Sequence, residues 1–256
     1  MHDFLLIGIG ASAGGLTPLS TLVKRMPPHL NAAVFVVMHL SLPNPLKTFL
    51  NSPGGLPIRD AIDLDRFEPG NCYVCPADRY LEVENGILRV EQSPKESVHR
   101  PSVNALFRSA ALNYGRRMVG VLLSGALYDG SAGLWQIKKH GGVTIVQDPA
   151  EAKYPDMPQH AINHVGVDFV LPVSRIADKL IELTAQNRAR ACRAREGAHR
   201  RGRGVGCEKS SCRARVVWLR SRRNSGNWRD GARSRDQDEP GISADGHRIA
   251  RIHQRR

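Results

Sequence analysis

The chain is short of the features that mark secreted, membrane-spanning and nucleic-acid-binding proteins. Its five cysteines, Cys72, Cys75, Cys192, Cys207 and Cys212, have no spacing that makes a disulfide framework. No apolar run approaches the roughly 20 residues of a membrane span. The start, Met1-His2-Asp3, lacks the basic opening of a secretory signal, and the apolar run after it is soon broken by glycines, so a cytoplasmic protein is expected. Aromatic residues make up only 5% of the chain, and no stacking platform or recognition motif accompanies its arginines. Nucleic acid is therefore not the expected partner, despite the formal charge of +13.

That charge is unevenly placed. Residues 1–185 hold 17 basic and 17 acidic side chains, and residues 186–256 hold 20 and 7. The neutral part carries regularly spaced Val, Leu, Ile and Ala, and a domain of its size buries roughly 70% of its unfolded surface. Beyond it the composition is Arg, Gly, Ser and Asp, with one brief apolar run at Val216-Val217-Trp218-Leu219. Such a segment cannot offset its ordering entropy by burial. The division expected is a folded domain over residues 1–186 and a disordered, Arg-rich tail over residues 187–256, whose composition is also what a GC-rich gene yields out of frame.

Within the domain, apolar strands alternate with amphipathic helices. Strands are expected at 4–10, 32–38, 118–123, 143–146 and 168–171, with helices at 16–26, 101–112, 132–140, 157–164 and 174–184. Shorter strands are expected near 58–62 and 72–75, and Asn85-Gly86 between alternating segments signals a hairpin. Repeated β-then-α units with continuously apolar strands make this an α/β, doubly wound, mainly parallel sheet flanked by helices, with a small antiparallel hairpin. Ligands in such sheets bind outside the carboxyl ends of the strands, and Ser12, His39 and Asp129 each fall at such an end.

Gly10-x-Ser12-x-Gly14 has the spacing of a nucleophile elbow, while Gly8-x-Gly10 with Gly14 also resembles a dinucleotide turn. A nicotinamide site wants an acid at the end of the second strand, where Met38-His39-Leu40 stands instead. A serine hydroxyl needs a base to take its proton, which His39 supplies, and a carboxylate to orient that base, which Asp129 supplies. The backbone N–H groups of Ala13 and Ala126 are the candidate oxyanion donors, with Ser124 hydrogen-bonding nearby. The chain order Ser, His, Asp differs from that of α/β-hydrolases. Cys72-x-x-Cys75 lies in a strand-like run that sends the two thiols to opposite sides, and His160-x-x-x-His164 has Ala161 where a zinc protease needs Glu, so no metal site is assigned.

The segments Ile9-Gly10-Ala11-Ser12-Ala13-Gly14-Gly15, Val37-Met38-His39, Arg100-Pro101-Ser102-Val103, Leu123-Ser124-Gly125 through Asp129-Gly130 with Gly133-Leu134, and Gln147-Asp148-Pro149 with Met157-Pro158 together resemble the catalytic domain of the chemotaxis protein-glutamate methylesterases (CheB-type) over about residues 4–186. The resemblance implies Ser12, His39 and Asp129 as a catalytic triad hydrolysing γ-glutamyl methyl esters on the cytoplasmic helices of methyl-accepting chemotaxis receptors, with glutamine deamidation in some members. It implies no metal or organic cofactor; a receptor methyltransferase is a candidate partner under the binding-module reading below. Arg100 is a candidate substrate-side cation. Four positions depart from the family pattern: Ala126-Leu127 replaces Met-Gly, Ala13 stands where Thr is frequent, Asn104 replaces a common Asp, and Tyr80 a frequent His. A left-handed backbone at Leu127 would strain the loop carrying an oxyanion donor. The receiver domain usual in the family is also not seen ahead of the strand at Phe4. Two other readings are a slow, methylesterase-like binding or regulatory module and, more remotely, an NAD(P)-binding Rossmann domain.

Overall fold

A computed structural model describes residues 3–39, 46–92 and 100–201. The apolar opening run forms β1 (Leu5–Ala11), which is buried along its whole length and turns into α1 (Leu16–Lys24). β2 (Ala32–Met38) follows, and then α2 (Leu46–Leu50), β3 (Ile58–Asp60) and β4 (Cys72–Val74). The hairpin is β5 (Tyr80–Glu84) and β6 (Ile87–Glu91), paired antiparallel with Glu84 opposite Ile87. Both Asn85 (φ 49°) and Gly86 (φ 83°) are left-handed, as a two-residue turn between twisted strands requires.

After the hairpin come α3 (Val103–Tyr114), β7 (Met118–Leu122), α4 (Ser131–Lys139), β8 (Val143–Gln147), α5 (Asp156–Val165) and β9 (Phe169–Leu171). The last helix, α6, spans Val173–Arg201. It was expected to stop at Thr184 with disorder from residue 187, and it continues through that boundary. Ala185, Ala189 and Ala191 favour helix, and the Asn187 amide donates to Asp3 O at 2.9 Å, tying this stretch to the domain. The remainder of the Arg-rich tail lies outside the described residues.

Seven strands form one parallel sheet in the order β3-β4-β2-β1-β7-β8-β9. The chain leaves β1 toward β2 and β4 and returns to β7 on the other flank of β1. The topological switch therefore falls at the carboxyl end of β1, between β2 and β7.

Alternation along β1 divides the core. Leu5, Ile7, Ile9 and Ala11 pack with α1 and α6, whereas Leu6 faces α3, α4, α5 and the hairpin. Each fully buried Leu, Ile or Phe contributes about 1.5–3 kcal/mol of transfer free energy. On the α3 side the next two positions of β1 are glycines. A Cβ at Gly8 would lie 2.7 Å from the Met118 methyl, and one at Gly10 would lie 2.4 Å from a Val103 methyl. Small residues here let the first turn of α3 approach the sheet, which brings Val103 to the switch point. Cys72 and Cys75 fall in opposite cores, as their strand spacing predicts, and burial pushes both thiols up to about 12.

Candidate active site

Register assembles the site. β1 and β2 pair with Ala11 opposite Met38, so the next residues, Ser12 and His39, leave the sheet side by side, and the His39 N–H donates to Ala11 O at 3.2 Å. On the other flank Leu123 N–H donates to Gly10 O at 2.9 Å and Ser12 N–H to Ser124 O at 3.0 Å, which extends β1–β7 pairing past both strand ends. Ser12 O accepts from Gly15 N at 2.9 Å, closing a four-residue turn whose third residue, Gly14, has φ 70°. That is the position at which a type II turn demands glycine. The elbow expected from the sequence is thus built differently: Ser12 does not carry the left-handed backbone, Gly14 turns the chain, and Gly10 makes room for Val103.

His39 Nδ1 lies 3.1 Å from Ser12 Oγ, and its Nε2 lies 2.8 Å from Asp129 Oδ2. Beside the carboxylate, Nε2 carries the proton and donates it, which leaves the Nδ1 lone pair to accept from the Ser12 hydroxyl. The two ring nitrogens exchange the parts they play in the serine-protease template. A half-turn of the ring would put carbon at both positions, so the placement follows from the contacts themselves. The His39 side chain is 14% exposed and that of Asp129 only 4%.

Asp129 is held by both carboxylate oxygens. Oδ2 accepts from Val103 N–H (2.8 Å) as well as from His39, and Oδ1 accepts from Gly130 N–H (3.0 Å), Asn104 N–H (3.2 Å) and Ser102 Oγ (3.4 Å). It caps the amino end of α3, where orphan N–H groups and the helix dipole favour an anion. Burial pushes its pKa up, but the hydrogen bonds from His39 and from the Val103 and Asn104 amides outweigh burial and hold it below the usual carboxylate value.

The Ala13 N–H shares a peptide unit with Ser12 O, which Gly15 N–H fixes, so it points away from the turn; among the described residues neither it nor the Ala126 N–H finds an acceptor. Ser124, fully buried, braces this arrangement. Its Oγ donates to Ala13 O (2.9 Å) and accepts from Tyr154 N–H (3.0 Å), while its own N–H donates to Gln147 Oε1 (2.8 Å). Gly125 N–H donates to Tyr154 O and Gly125 O accepts from Met157 N–H, each at 3.0 Å, so the loop after β8 is laced to the loop that carries Ala126.

Leu127 has φ 68° and is half exposed. The strain anticipated for this loop is present. A left-handed non-glycine residue costs about 1–2 kcal/mol, and glycine gives back part of that gain through unfolded-state entropy. Leu127→Gly is expected to leave stability unchanged or raise it by up to about 1 kcal/mol, whereas Leu112→Gly, at an exposed position inside α3, is expected to cost about 1 kcal/mol. Urea midpoints of the two variants check the contrast.

Other candidates lie elsewhere. The Arg100 guanidinium pairs with Asp78 at 2.9 Å, a contact of charges rather than an aligned hydrogen bond, and lies over the Tyr80 ring. The His160 and His164 rings lie 4.3 Å apart on α5, tilted by 40°, with His160 Nδ1 2.9 Å from Ser131 Oγ. Among the described residues no three His, Cys, Asp or Glu side chains converge as metal ligands. Lys153 and Tyr154 pack against the glycine turn, with atoms 2.9 Å from where a Gly14 Cβ would stand. Sequence reasoning did not assign Asn104 a place in the site: its Oδ1 accepts from Gly130 N–H (3.1 Å) and Gly133 N–H (2.7 Å). The signal available was a cap-type residue in the first turn of the helix after Pro101.

A family model described as CheB methylesterase matches residues 7–180. The chain is 38% identical over 181 residues to protein-glutamate methylesterase/protein-glutamine glutaminase 2 of Anaeromyxobacter dehalogenans, covering 70% of this chain and 53% of that protein. It is 32% identical over 188 residues to a putative protein-glutamate methylesterase/protein-glutamine glutaminase of Leptospira interrogans, covering 72% and 97%. The crystal structure of the Thermotoga maritima CheB methylesterase catalytic domain matches with a TM-score of 0.66 at 31% identity, covering 70% of this chain and 98% of that one. The chain spans about half the length of the Anaeromyxobacter relative and nearly all of the Leptospira one.

Proposed function

The chain belongs to the CheB methylesterase family, and from that premise we propose that it is a protein-glutamate methylesterase, acting on methyl-esterified glutamates in the cytoplasmic helices of chemotaxis receptors. The observation that carries this reading is the relay from Ser12 Oγ through His39 to Asp129, at 3.1 and 2.8 Å. Ser12 Oγ attacks the ester carbonyl while its proton passes to His39 Nδ1. The tetrahedral oxyanion is met by the N–H groups of Ala13 and Ala126, each such donor being worth about 2.7–4 kcal/mol. Collapse breaks the C–O bond to methoxide, which takes the proton from His39 and leaves as methanol. Water, deprotonated by His39, then attacks the acyl-serine, and glutamate and Ser12 are regenerated. Glutamine side chains would pass through the same acyl-enzyme with ammonia as the leaving group, which gives the second activity in the relatives' names.

Leu127, Tyr128 and Tyr154 are exposed on the two loops that bracket the Ser12 turn, an apolar rim suited to the surface of a helical substrate. No helix among the described residues is long and apolar enough to cross a membrane, in keeping with action on the receptor from the cytoplasm. A receptor methyltransferase supplies the ester that this reaction removes. The test is methanol release from a purified receptor fragment methylated beforehand. Release proportional to added protein is expected, and none above the blank overturns the reading.

A further inference from the structure

Two helices cap one another at the switch point. Asp129, just before α4, accepts from the first amides of α3, and Asn104, in the first turn of α3, accepts from Gly130 and Gly133 at the start of α4. The two caps meet at one donor. The Gly130 N–H lies 3.0 Å from Asp129 Oδ1 and 3.1 Å from Asn104 Oδ1, so both oxygens are held around a single nitrogen. Asp129 Oδ1 is thereby occupied, which turns Oδ2 to His39.

We propose that Asn104 is a positioning residue for the Asp129–His39 pair: its amide oxygen shares the Gly130 N–H and fixes the loop without placing a second negative charge beside the carboxylate. An aspartate at this position would keep the acceptor and add that charge. Among the described residues the carboxylate meets only His39, the Ser102 hydroxyl and the amides of Val103, Asn104 and Gly130. On the far side of Asn104 lies a cavity of about 570 Å³, faced by Arg108 of α3 and by Tyr80, Glu82, Arg89 and Glu91 of the hairpin. From α5, His160 reaches the amino end of α4 through Ser131 Oγ at 2.9 Å. With Asp129 only 3% exposed, a new charge sharing its amide donor would be poorly screened.

The inference rests on Ser12 being activated by His39, and its test is chosen to need no receptor. Ser12 is phosphonylated with a small fluorophosphonate across pH 5–9, and the labelling rate is followed by mass spectrometry. Added negative charge stabilises the His39 imidazolium, and labelling needs neutral His39. Asn104→Asp is therefore expected to keep the high-pH plateau within about threefold and to move the acid limb up by about one pH unit, a typical size for the effect of a nearby opposite charge on a pKa. Asn104→Ala removes the acceptor of the Gly133 N–H and one of the two that hold the Gly130 N–H, and lets the Asp129 loop shift. It is expected to lower the plateau at least tenfold, since a 1 Å misplacement costs about 10²-fold. An Asn104→Asp acid limb at the wild-type pH overturns the proposal, as does wild-type labelling of Asn104→Ala. Should Asn104→Ala fail to fold, the acid limb of Asn104→Asp decides alone. A protein that labels as expected but releases no methanol from receptor would sink the methylesterase reading and leave this one standing.

Discussion

Ser12→Ala is expected to lower methanol release from a methylated receptor fragment by roughly 10⁶-fold, the scale seen when the nucleophile of a triad hydrolase is removed. A loss of that size is about 8 kcal/mol of transition-state stabilisation, at 1.36 kcal/mol for each factor of ten. Removal of Oγ ends acyl-enzyme formation. The residual rate would come from water activated by His39 and from the amide donors of Ala13 and Ala126, which a methyl side chain leaves in place. Folding should hardly register the change. Oγ meets His39, whereas the turn is fixed by backbone bonds of Ser12 to Ser124 and Gly15, which the substitution keeps. The expected shift in melting temperature is within about 4 °C, the equivalent of about 1 kcal/mol for a domain of this size. Calorimetry and methanol assay on the same preparation separate the two effects. Equal release by both proteins would remove Ser12 from the chemistry, and comparable receptor binding by both would then favour a binding module.

The backbone frame of this site was legible in the sequence because strand ends can be read from apolar runs. Ile7, Val36 and Val121 sit in runs buried on both sheet faces, and such runs in alternation with helices leave only one class of sheet. The convergence of Ser12, His39 and Asp129 was legible by the same logic, since ligands in this class bind at the carboxyl ends of the strands. Leu127 was legible too, because a bulky residue in a glycine-rich loop has one way to be strained. Relations across the chain were not legible. Nothing local tells that Gly10 serves Val103, more than ninety residues away, or that Asn104 reaches Gly130. Periodicity cannot say which imidazole nitrogen meets Ser12, because that depends on where β2 ends relative to β1 and on the angle at which Asp129 arrives. The length of α6 was missed for another reason: mean composition judged residues 187–201 as part of a low-complexity tail, although Ala and Arg there are strong helix formers and Asn187 ties the helix to Asp3.

Asp129→Asn is expected to lower methanol release by about 10⁴-fold and, unlike Ser12→Ala, to weaken the fold as well. The catalytic loss comes from proton placement. An amide has only one acceptor oxygen, whereas each oxygen of Asp129 now accepts from at least two donors. If the Asn Nδ2 faces His39, it donates to Nε2 and drives the ring proton to Nδ1, where it points at Ser12 and cannot accept the hydroxyl proton. Loss of the correct tautomer costs about 10⁴-fold in the serine-protease template. If the amide flips, Nδ2 faces the N–H groups of Asn104 and Gly130; the Asn104 N–H is then left without an acceptor at a buried helix end, while the Gly130 N–H keeps only Asn104 Oδ1. Such a loss costs about 1–3 kcal/mol. In either orientation Nδ2 opposes at least one backbone N–H, because Val103 donates to one oxygen and Asn104 and Gly130 to the other. A lowered melting temperature is therefore expected together with the activity loss. Acid sensitivity supplies an independent readout. The Asp129 pKa is lower in the folded protein than in the unfolded chain, so its contribution is fully present above the ordinary carboxylate pKa and is lost as pH falls through the lower folded value. An asparagine cannot titrate. The gap in stability between wild type and Asp129→Asn should be widest at neutral pH and narrow below about pH 4, the unfolded aspartate range. Urea titrations of both proteins from pH 7 down to pH 3 would show it. A gap that stays constant across that range would mean that Asp129 is not held ionised by the amino end of α3 and His39, and would remove the electrostatic basis for its place in the relay.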